Sequence, residues 1–342
     1  MSPRLLIVRL SAIGDTIHSL PLASALREIY PKAFLGWVVE TLASPLIVGN
    51  PLLNWYKVLP RGWIKSPCKQ LALKKELKNL KFDTAFDPQG LTKSSVAAWL
   101  SRAPKRIGFV RGEAREIAPF LDNILVSPPA SHVVENTLSL ITGLGLEAPT
   151  EAPLILPPCP KEDLYLLEGF FSQLGKGPYN LIAPFSNNLS KCWPLDRYAE
   201  LARRLFERTG RPTLVLGHGE KERKEVLKLC QDRYYLVQAP ELSILGVAEL
   251  IKGAMVSIGS DSFPMHLASG LKLPCLVLFS VSDPKRVGPQ HLQGISVYSR
   301  LTITHSSRAR DKLSQDNMLA LSVDTVEKAY DELQERLENS GA

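Results

Sequence analysis

The sequence predicts an α/β protein made of two similar halves, each a parallel β-sheet wrapped by helices. Three observations lead there. Short apolar runs alternate with amphipathic segments along the first part of the chain. A proline-rich segment, residues 147–163, then interrupts the pattern with Pro149, Pro153, Pro157, Pro158 and Pro160. After it the alternation restarts. Strands buried on both faces and separated by helices are the mark of a parallel sheet, and a proline cluster marks a linker.

The elements follow in order. RLLIVRL reads as a strand and TIHSLPLASALREIY as a helix. AFLGWVVE and WYKVLP are strands, CKQLALKKELKNLK a helix, FDTAFDP a strand and TKSSVAAWLSRA a helix. Beyond the prolines, YNLIAPFS is a strand, LDRYAELARRLFERTG a helix, PTLVLGH a strand and EKERKEVLKLCQ a helix. SILGVAELIKGA is a helix, and MVSIGSD and CLVLFS are strands. The last helix, SVDTVEKAYDELQERLEN, starts with Ser322 as its N-cap. At 342 residues the chain exceeds the usual size of one compact domain. Ligands of such sheets bind beyond the carboxyl ends of the strands, so two such domains are expected to face each other across a central cleft.

Composition narrows the function. Five cysteines, odd in number and without a C-x-x-C, argue for a reducing compartment and against a disulfide framework or structural zinc. The first apolar run is broken at Arg9 and is too short for a signal-peptide core, and no run of 18 apolar residues offers a membrane span. Charge is one-sided. Residues 51–120 carry 14 Lys/Arg against 5 Asp/Glu, a local +9 in a chain of net +7. Such a region suits an anionic partner, although KKELKNLK also reads as the solvated face of a helix.

The common nucleotide fingerprints fail. The first loop reads SAIGDT, LGHGEK lacks the third glycine of G-x-G-x-x-G, and there is no P-loop, G-x-S-x-G elbow, H-E-x-x-H or D-x-D. What remains are polar residues that follow strands: Asp15, Lys191, Glu220, Asp261, Ser262, His266 and Asp283. Any one of the carboxylates could be a helix cap; several at one sheet edge point to a ligand site.

IVRLSAIGDTIHSLPLASALREIYP, FDPQGLTKSS, KCWP, GSDSFPMHLASGLKLPCLVLFSVSDPKRVGP and LSVDTVEKA, in that order from residue 4 to about 337, resemble the ADP-heptose:lipopolysaccharide heptosyltransferases, glycosyltransferase family 9. The resemblance implies a GT-B architecture. Residues 1–155 would form an N-terminal, acceptor-binding Rossmann-like domain. Residues 156–320 would form a C-terminal domain that binds the nucleotide sugar, and 321–342 a helix packing back on the N-terminal domain. It also implies inverting transfer with no metal and no cofactor, from a nucleotide-sugar donor to an anionic glycolipid such as the lipopolysaccharide inner core. The expected setting is the cytoplasm, with peripheral contact at the inner membrane surface. A nucleic-acid partner is not expected, for the basic half lacks a reading motif and interleaved aromatics.

The resemblance assigns Asp15, the Asp of the G-D motif, as the base that takes the acceptor hydroxyl proton. The reading of residues alone leaves it as a cap of the following helix. His18, one turn on, either lines the site or packs. Lys191 matches the K-x-W-P lysine and would meet the diphosphate, a charge that a cation and helix N-terminal amides can balance. Glu220 would contact ribose, Asp261 sugar hydroxyls, Ser262 phosphate and His266 the diphosphate, with Ser186 beside them. Lys93, Arg61, Lys65, Arg111 and Arg115 would hold the acceptor's carboxylates and phosphates; Lys93 matches a family position and the arginines match by region. One departure stands out. The family pattern D-[ST]-G-x-x-H reads here with Phe263 and Pro264, adding bulk and removing an amide at a helix start that proline otherwise suits. The alternatives are a transferase for another nucleotide sugar and a binding protein of the same fold without turnover.

Overall fold

The computed structural model of the protein describes residues 2–129, 131–175, 177–303 and 315–340. The chain divides into two compact units, Met1–Pro158 and Cys159–Ala342, within the proline-rich segment.

The N-terminal unit is a six-stranded parallel sheet of β1 (Arg4–Val8), β2 (Phe34–Glu40), β3 (Trp55–Leu59), β4 (Thr84–Phe86), β5 (Lys105–Phe109) and β6 (Ile124–Val126), in the order β3-β2-β1-β4-β5-β6. β1 is central: Ile7 lies in register with Trp37 on one side and Phe86 on the other. Its residues Leu5–Val8 are fully buried, which is why RLLIV carries no polar alternation. The helices are α1 (Ile13–Ile29), α2 (Pro67–Leu80), α3 (Thr92–Leu100), α4 (Ala118–Leu121) and α5 (Val133–Ser139). α2 starts on Pro67 behind the Ser66 cap and buries only Leu73 and Leu77. KKELKNLK is therefore a solvated face, as its composition suggests.

The C-terminal unit repeats the plan. β7 (Asn180–Ala183), β8 (Thr213–Val215), β9 (Leu236–Gln238), β10 (Ser257–Ser260), β11 (Cys275–Leu278) and β12 (Gly294–Val297) form a parallel sheet in the order β12-β11-β10-β7-β8-β9. Counted from its own first strand, each sheet runs 3-2-1-4-5-6, with the order reversing between β1 and β4 and between β7 and β10. The helices are α6 (Lys161–Leu174), α7 (Leu195–Thr209), α8 (Gly219–Cys230), α9 (Ile244–Gly253), α10 (Phe263–Gly270), α11 (Pro284–Val287), α12 (Asp316–Leu319) and α13 (Val323–Ser340). Ser322 caps α13, its hydroxyl accepting from the Thr325 amide at 3.2 Å.

The placement of α13 corrects one expectation. It lies on the C-terminal unit, not on the N-terminal one. Its apolar stripe of Val326, Ala329, Tyr330 and Leu333 joins the core of Leu201, Leu205, Ile258 and Leu276. Its acidic positions meet α7: Arg204 pairs with Asp324 at 2.7 Å and Glu327 at 2.9 Å, and Arg208 pairs with Asp331 at 2.8 Å. The stripe at i, i+3, i+4 and i+7 fits that core, and α7 presents the matching cations. These exposed pairs steer the docking more than they stabilise it.

Beneath the β4–β5 edge two carboxylates are buried together. Asp87 follows β4 and Asp122 precedes β6; both are under 5% exposed. Gly108 on β5 makes room, because a Cβ there would collide with the Asp122 carboxyl. Asp87 accepts from the Gln89 and Gly90 amides, each at 3.0 Å, and from Ser94 Oγ at 3.0 Å. Neither oxygen of Asp122 meets a partner among the described residues. Burial, and then the charge of Asp87, pushes the Asp122 carboxyl up to about 8. Because the folded state holds this proton more tightly than the unfolded chain, stability drains away as pH rises from about 4 towards 8. Asp122→Asn is therefore expected to come nearest the parent's melting temperature at pH 4 and to exceed it by a growing margin up to pH 8. A thermal-melt series across that range measures it, and parallel pH curves for the two proteins would refute the assignment.

Candidate functional site

The first constellation gathers where the N-terminal sheet reverses its order, at the carboxyl ends of β1 and β4. Neighbouring connections there pass to opposite faces of a sheet and leave a crevice open. β1 runs out into Arg9–Ala12, and α1 begins with Ala12 as its N-cap residue. Asp15 sits in the first turn of α1. Its Oδ2 accepts from the Ala12 amide at 3.2 Å and forms an ion pair with Arg9 Nη2 at 3.1 Å. The Arg9 side chain is nearly buried while that of Asp15 is 51% exposed. Asp15 thus steadies the helix start by reaching back to the amide, the acidic half of a capping box, and still shows a carboxylate face to solvent. Both protein contacts use Oδ2.

Lys93, at the start of α3, joins this cluster. Its Nζ donates to Ser11 Oγ at 2.6 Å and to Glu40 Oε2 at 2.7 Å. The loop after β4 is tied to the loop after β1: Gln89 Oε1 accepts from the Leu10 amide at 2.8 Å, and the Pro88 carbonyl accepts from Arg9 Nη1 at 2.8 Å. Arg9, Glu40 and Gln89 were not singled out from sequence. Arg9 did leave a signal, since a cation interrupting the buried end of a central strand calls for a local partner. His18 is buried and packs edge-to-face on His132, ring centroids 6.3 Å apart.

The remaining basic candidates share this sheet edge without joining the cluster. Arg61 and Lys65 are exposed in the segment after β3; Arg111 and Arg115 are exposed in the loop after β5. No described hydrogen bond or ion pair links them to Asp15 or Lys93. All the strands are parallel, so all these loops leave one edge, and in the strand order they flank β1 two strands away on either side, about 10 Å at ordinary strand spacing. The β5 loop is held down where Gly90, at a φ of +61°, lets Ala114 approach and accepts from the Arg115 amide at 2.8 Å. The Arg111 guanidinium lies over the Phe120 ring at 4.3 Å.

The second constellation occupies the equivalent reversal in the C-terminal sheet, beyond β7 and β10. Lys191 ends a short 3-10 turn, Leu189–Lys191, after β7. Asp261 follows β10 and is 4% exposed; its Oδ2 lies 2.5 Å from Lys191 Nζ and its Oδ1 3.2 Å from His266 Nε2. Burial alone would raise the Asp261 carboxyl. The hydrogen bond from His266 and the charge of Lys191 outweigh it and hold the group well below the usual carboxylate range. The resemblance places Asp261 at sugar hydroxyls; in this structure its two oxygens meet Lys191 and His266. Ser186 Oγ donates to the Asp261 carbonyl at 3.3 Å. Ser262 is the N-cap residue of α10, and its covered hydroxyl meets no partner among the described residues. Phe263 opens that helix and Pro264 takes its second position, not its first, removing one amide from the set an anion could use.

Glu220 stands apart. It is exposed in the first turn of α8, and the amides at that helix start go to other carboxylates, His218 N to Glu222 Oε2 at 2.9 Å and Gly219 N to Glu241 Oε1 at 3.1 Å. Asp283 caps α11 by accepting from the Lys285 amide at 3.0 Å. Among the described residues, no three His, Cys, Asp or Glu side chains are grouped to hold a metal ion.

The family model of glycosyltransferase family 9 (heptosyltransferase) matches residues 70–315. The chain belongs to glycosyltransferase family 9. This family 9 member is a glycosyltransferase of GT-B fold. It is 29% identical over 302 residues to lipopolysaccharide heptosyltransferase 1 of Pseudomonas aeruginosa, an alignment that takes in 83% of this chain and 81% of the relative. Among solved structures it resembles the E. coli heptosyltransferase WaaC with ADP, at a TM-score of 0.74 and 22% identity over 97% of this chain and 98% of that one. It likewise resembles WaaC with ADP-2-deoxy-2-fluoro heptose, at a TM-score of 0.72 and 22% identity over 96% of this chain and 99% of that one.

The buried triad allows a direct test. Removing one partner of a buried ion pair strands the other's charge at a cost of about 3 kcal/mol. Lys191→Met should therefore lower stability by about that amount, and adding Asp261→Asn should restore most of it. Denaturant titration of the two variants measures this, and a double variant no more stable than the single one would contradict the pairing.

Proposed function

We propose that this enzyme transfers heptose from ADP-heptose to the anionic inner core of a lipopolysaccharide acceptor, inverting the anomeric centre without a metal ion. The observation that carries the reading is the half-exposed carboxylate of Asp15, held through Oδ2 at the sheet reversal of a family 9 enzyme. Names borne by its relatives support the donor and the acceptor: a lipopolysaccharide heptosyltransferase, and structures with ADP and with a fluorinated ADP-heptose.

In this mechanism Asp15 accepts the proton of the acceptor hydroxyl as its oxygen attacks the anomeric carbon opposite the diphosphate. The departing ADP gathers negative charge. Lys191, with His266 and the start of α10, receives it, so the positive charge the leaving group needs comes from the protein. Asp261 keeps Lys191 and His266 in place for that task. Ser186 and Ser262 complete the phosphate side, and Glu220, exposed beyond β8, is free to meet the ribose diol. Lys93, Arg61, Lys65, Arg111 and Arg115 form the acceptor cradle, with Arg suited to paired contacts with carboxylate or phosphate. The same basic edge would hold the enzyme on the anionic inner leaflet, each cation near such a surface contributing about 1 kcal/mol. Among the described residues no helix is long and apolar enough to cross a membrane, so this contact is peripheral in our reading, with the enzyme on the cytoplasmic side.

Asp15→Asn should leave ADP binding intact and lower kcat by about 100-fold or more, the scale of general base catalysis. Steady-state kinetics with a titration of ADP decide it, and turnover near the parent's would reduce Asp15 to a helix-start residue. Arg111→Ala with Arg115→Ala should raise the KM for the acceptor, leave that for the donor unchanged and flatten the salt dependence. Donor and acceptor constants rising together would show the loop to be ordinary surface.

A further inference from the structure

We propose that Arg9 is a positioning residue for the transfer, one that acts through Asp15. The inference rests on the reading of Asp15 as the base. Arg9 is the first residue past β1, and its side chain is only 9% exposed. One guanidinium holds two elements at once: Nη2 reaches Asp15 Oδ2 at 3.1 Å and Nη1 donates to the Pro88 carbonyl at 2.8 Å. Its own carbonyl is held by the Trp37 indole Nε1 at 3.1 Å. The base on α1 is thereby registered against the loop after β4, the loop that also leads into Lys93.

Charge accounting within the cluster points the same way. Lys93 is engaged with Glu40 and Ser11, so the cation in contact with Asp15 is Arg9. With the Ala12 amide and Arg9 both on Oδ2, the carboxylate is fixed in rotation and Oδ1 carries no described protein contact. That is the arrangement a base needs to meet a hydroxyl along one direction, because small misplacement of reacting groups is costly in rate. Burial raises the Asp87 carboxyl and the charge of Arg9 helps to hold it down, but stability does not account for all of the placement of Arg9. Its Nε is buried and meets no partner among the described residues, and a buried donor without a partner opposes folding. An apolar residue here would continue the buried run of Leu5–Val8. Violations of local preference of this kind concentrate at functional positions.

The test is a double-mutant cycle on kcat with Arg9→Met, Asp15→Asn and the double variant, with ADP-heptose as donor. Arg9→Met should lower kcat by about 10- to 100-fold with both KM values within about twofold of the parent's, and it should cause no further loss once Asp15 is Asn. Arg9→Lys, which keeps the charge but can span only one of the two partners, should recover part of the rate. Losses that multiply in the double variant, or an acceptor KM that rises while kcat holds, would overturn the assignment. ADP titration and thermal melts establish that each variant is folded. If Arg9→Met does not fold, Arg9→Lys and Arg9→Lys with Asp15→Asn complete the same cycle with the same criteria. The two readings fail separately: turnover retained by Asp15→Asn removes the base and this inference with it, whereas an inactive Asp15→Asn with multiplying losses removes Arg9 alone.

Discussion

Both polar constellations of this protein hang on the reversal of strand order at the middle of each sheet. Where the order turns between β1 and β4, and again between β7 and β10, adjacent connections diverge to opposite faces and leave the carboxyl ends uncovered. The loop after β1 brings Arg9 and leads into Asp15, and the loop after β4 brings Gln89 and leads into Lys93. In the second sheet the loop after β7 brings Lys191 and the loop after β10 brings Asp261. Each constellation is thus assembled from two chain segments far apart in sequence, and the backbone topology alone makes them neighbours.

The two reversals are charged in different ways. In the N-terminal unit a nearly buried guanidinium backs a carboxylate that is half open to solvent. In the C-terminal unit the carboxylate is the buried member, and it holds a lysine and a histidine that are less covered than it is. In the second an anion in the interior steadies cations nearer the surface; in the first a cation in the interior steadies an anion nearer the surface. Both depend on the large penalty for leaving a buried charge without its partner.

Much of the architecture was legible in the chain. Strands such as RLLIV and CLVL are continuous apolar runs because they are buried on both faces, and α7 shows its stripe of Tyr198, Leu201, Ala202 and Leu205 directly. Four strands were not legible: β5, β6, β9 and β12 are only partly buried, and none carries a continuous buried apolar run as long as RLLIV or CLVL. Asp15, Lys191, Asp261 and His266 were visible as polar residues after strands, and their motifs resemble those of the family. The role of Asp261 was not, because its two partners lie 70 residues before it and five after, and only burial makes that carboxylate a support for the others. The side on which α13 docks was not legible for a related reason. Its stripe shows that it must dock, but the choice of surface lies with Arg204 and Arg208 on a helix more than a hundred residues away.

By itself, then, the sequence determined that two parallel α/β halves form, where the chain divides between them, and which polar side chains end up at strand ends, because those features follow from local periodicity, proline chemistry and the spacing of short motifs. The tertiary structure alone decided that Arg9 clasps Asp15, that Asp261 serves Lys191 and His266, that Asp87 and Asp122 share one buried space, and that α13 closes the C-terminal core. Each of these is a contact between segments brought together by strand order and burial, and the energy of pairing buried charges depends on distance and exposure, which no single stretch of sequence contains.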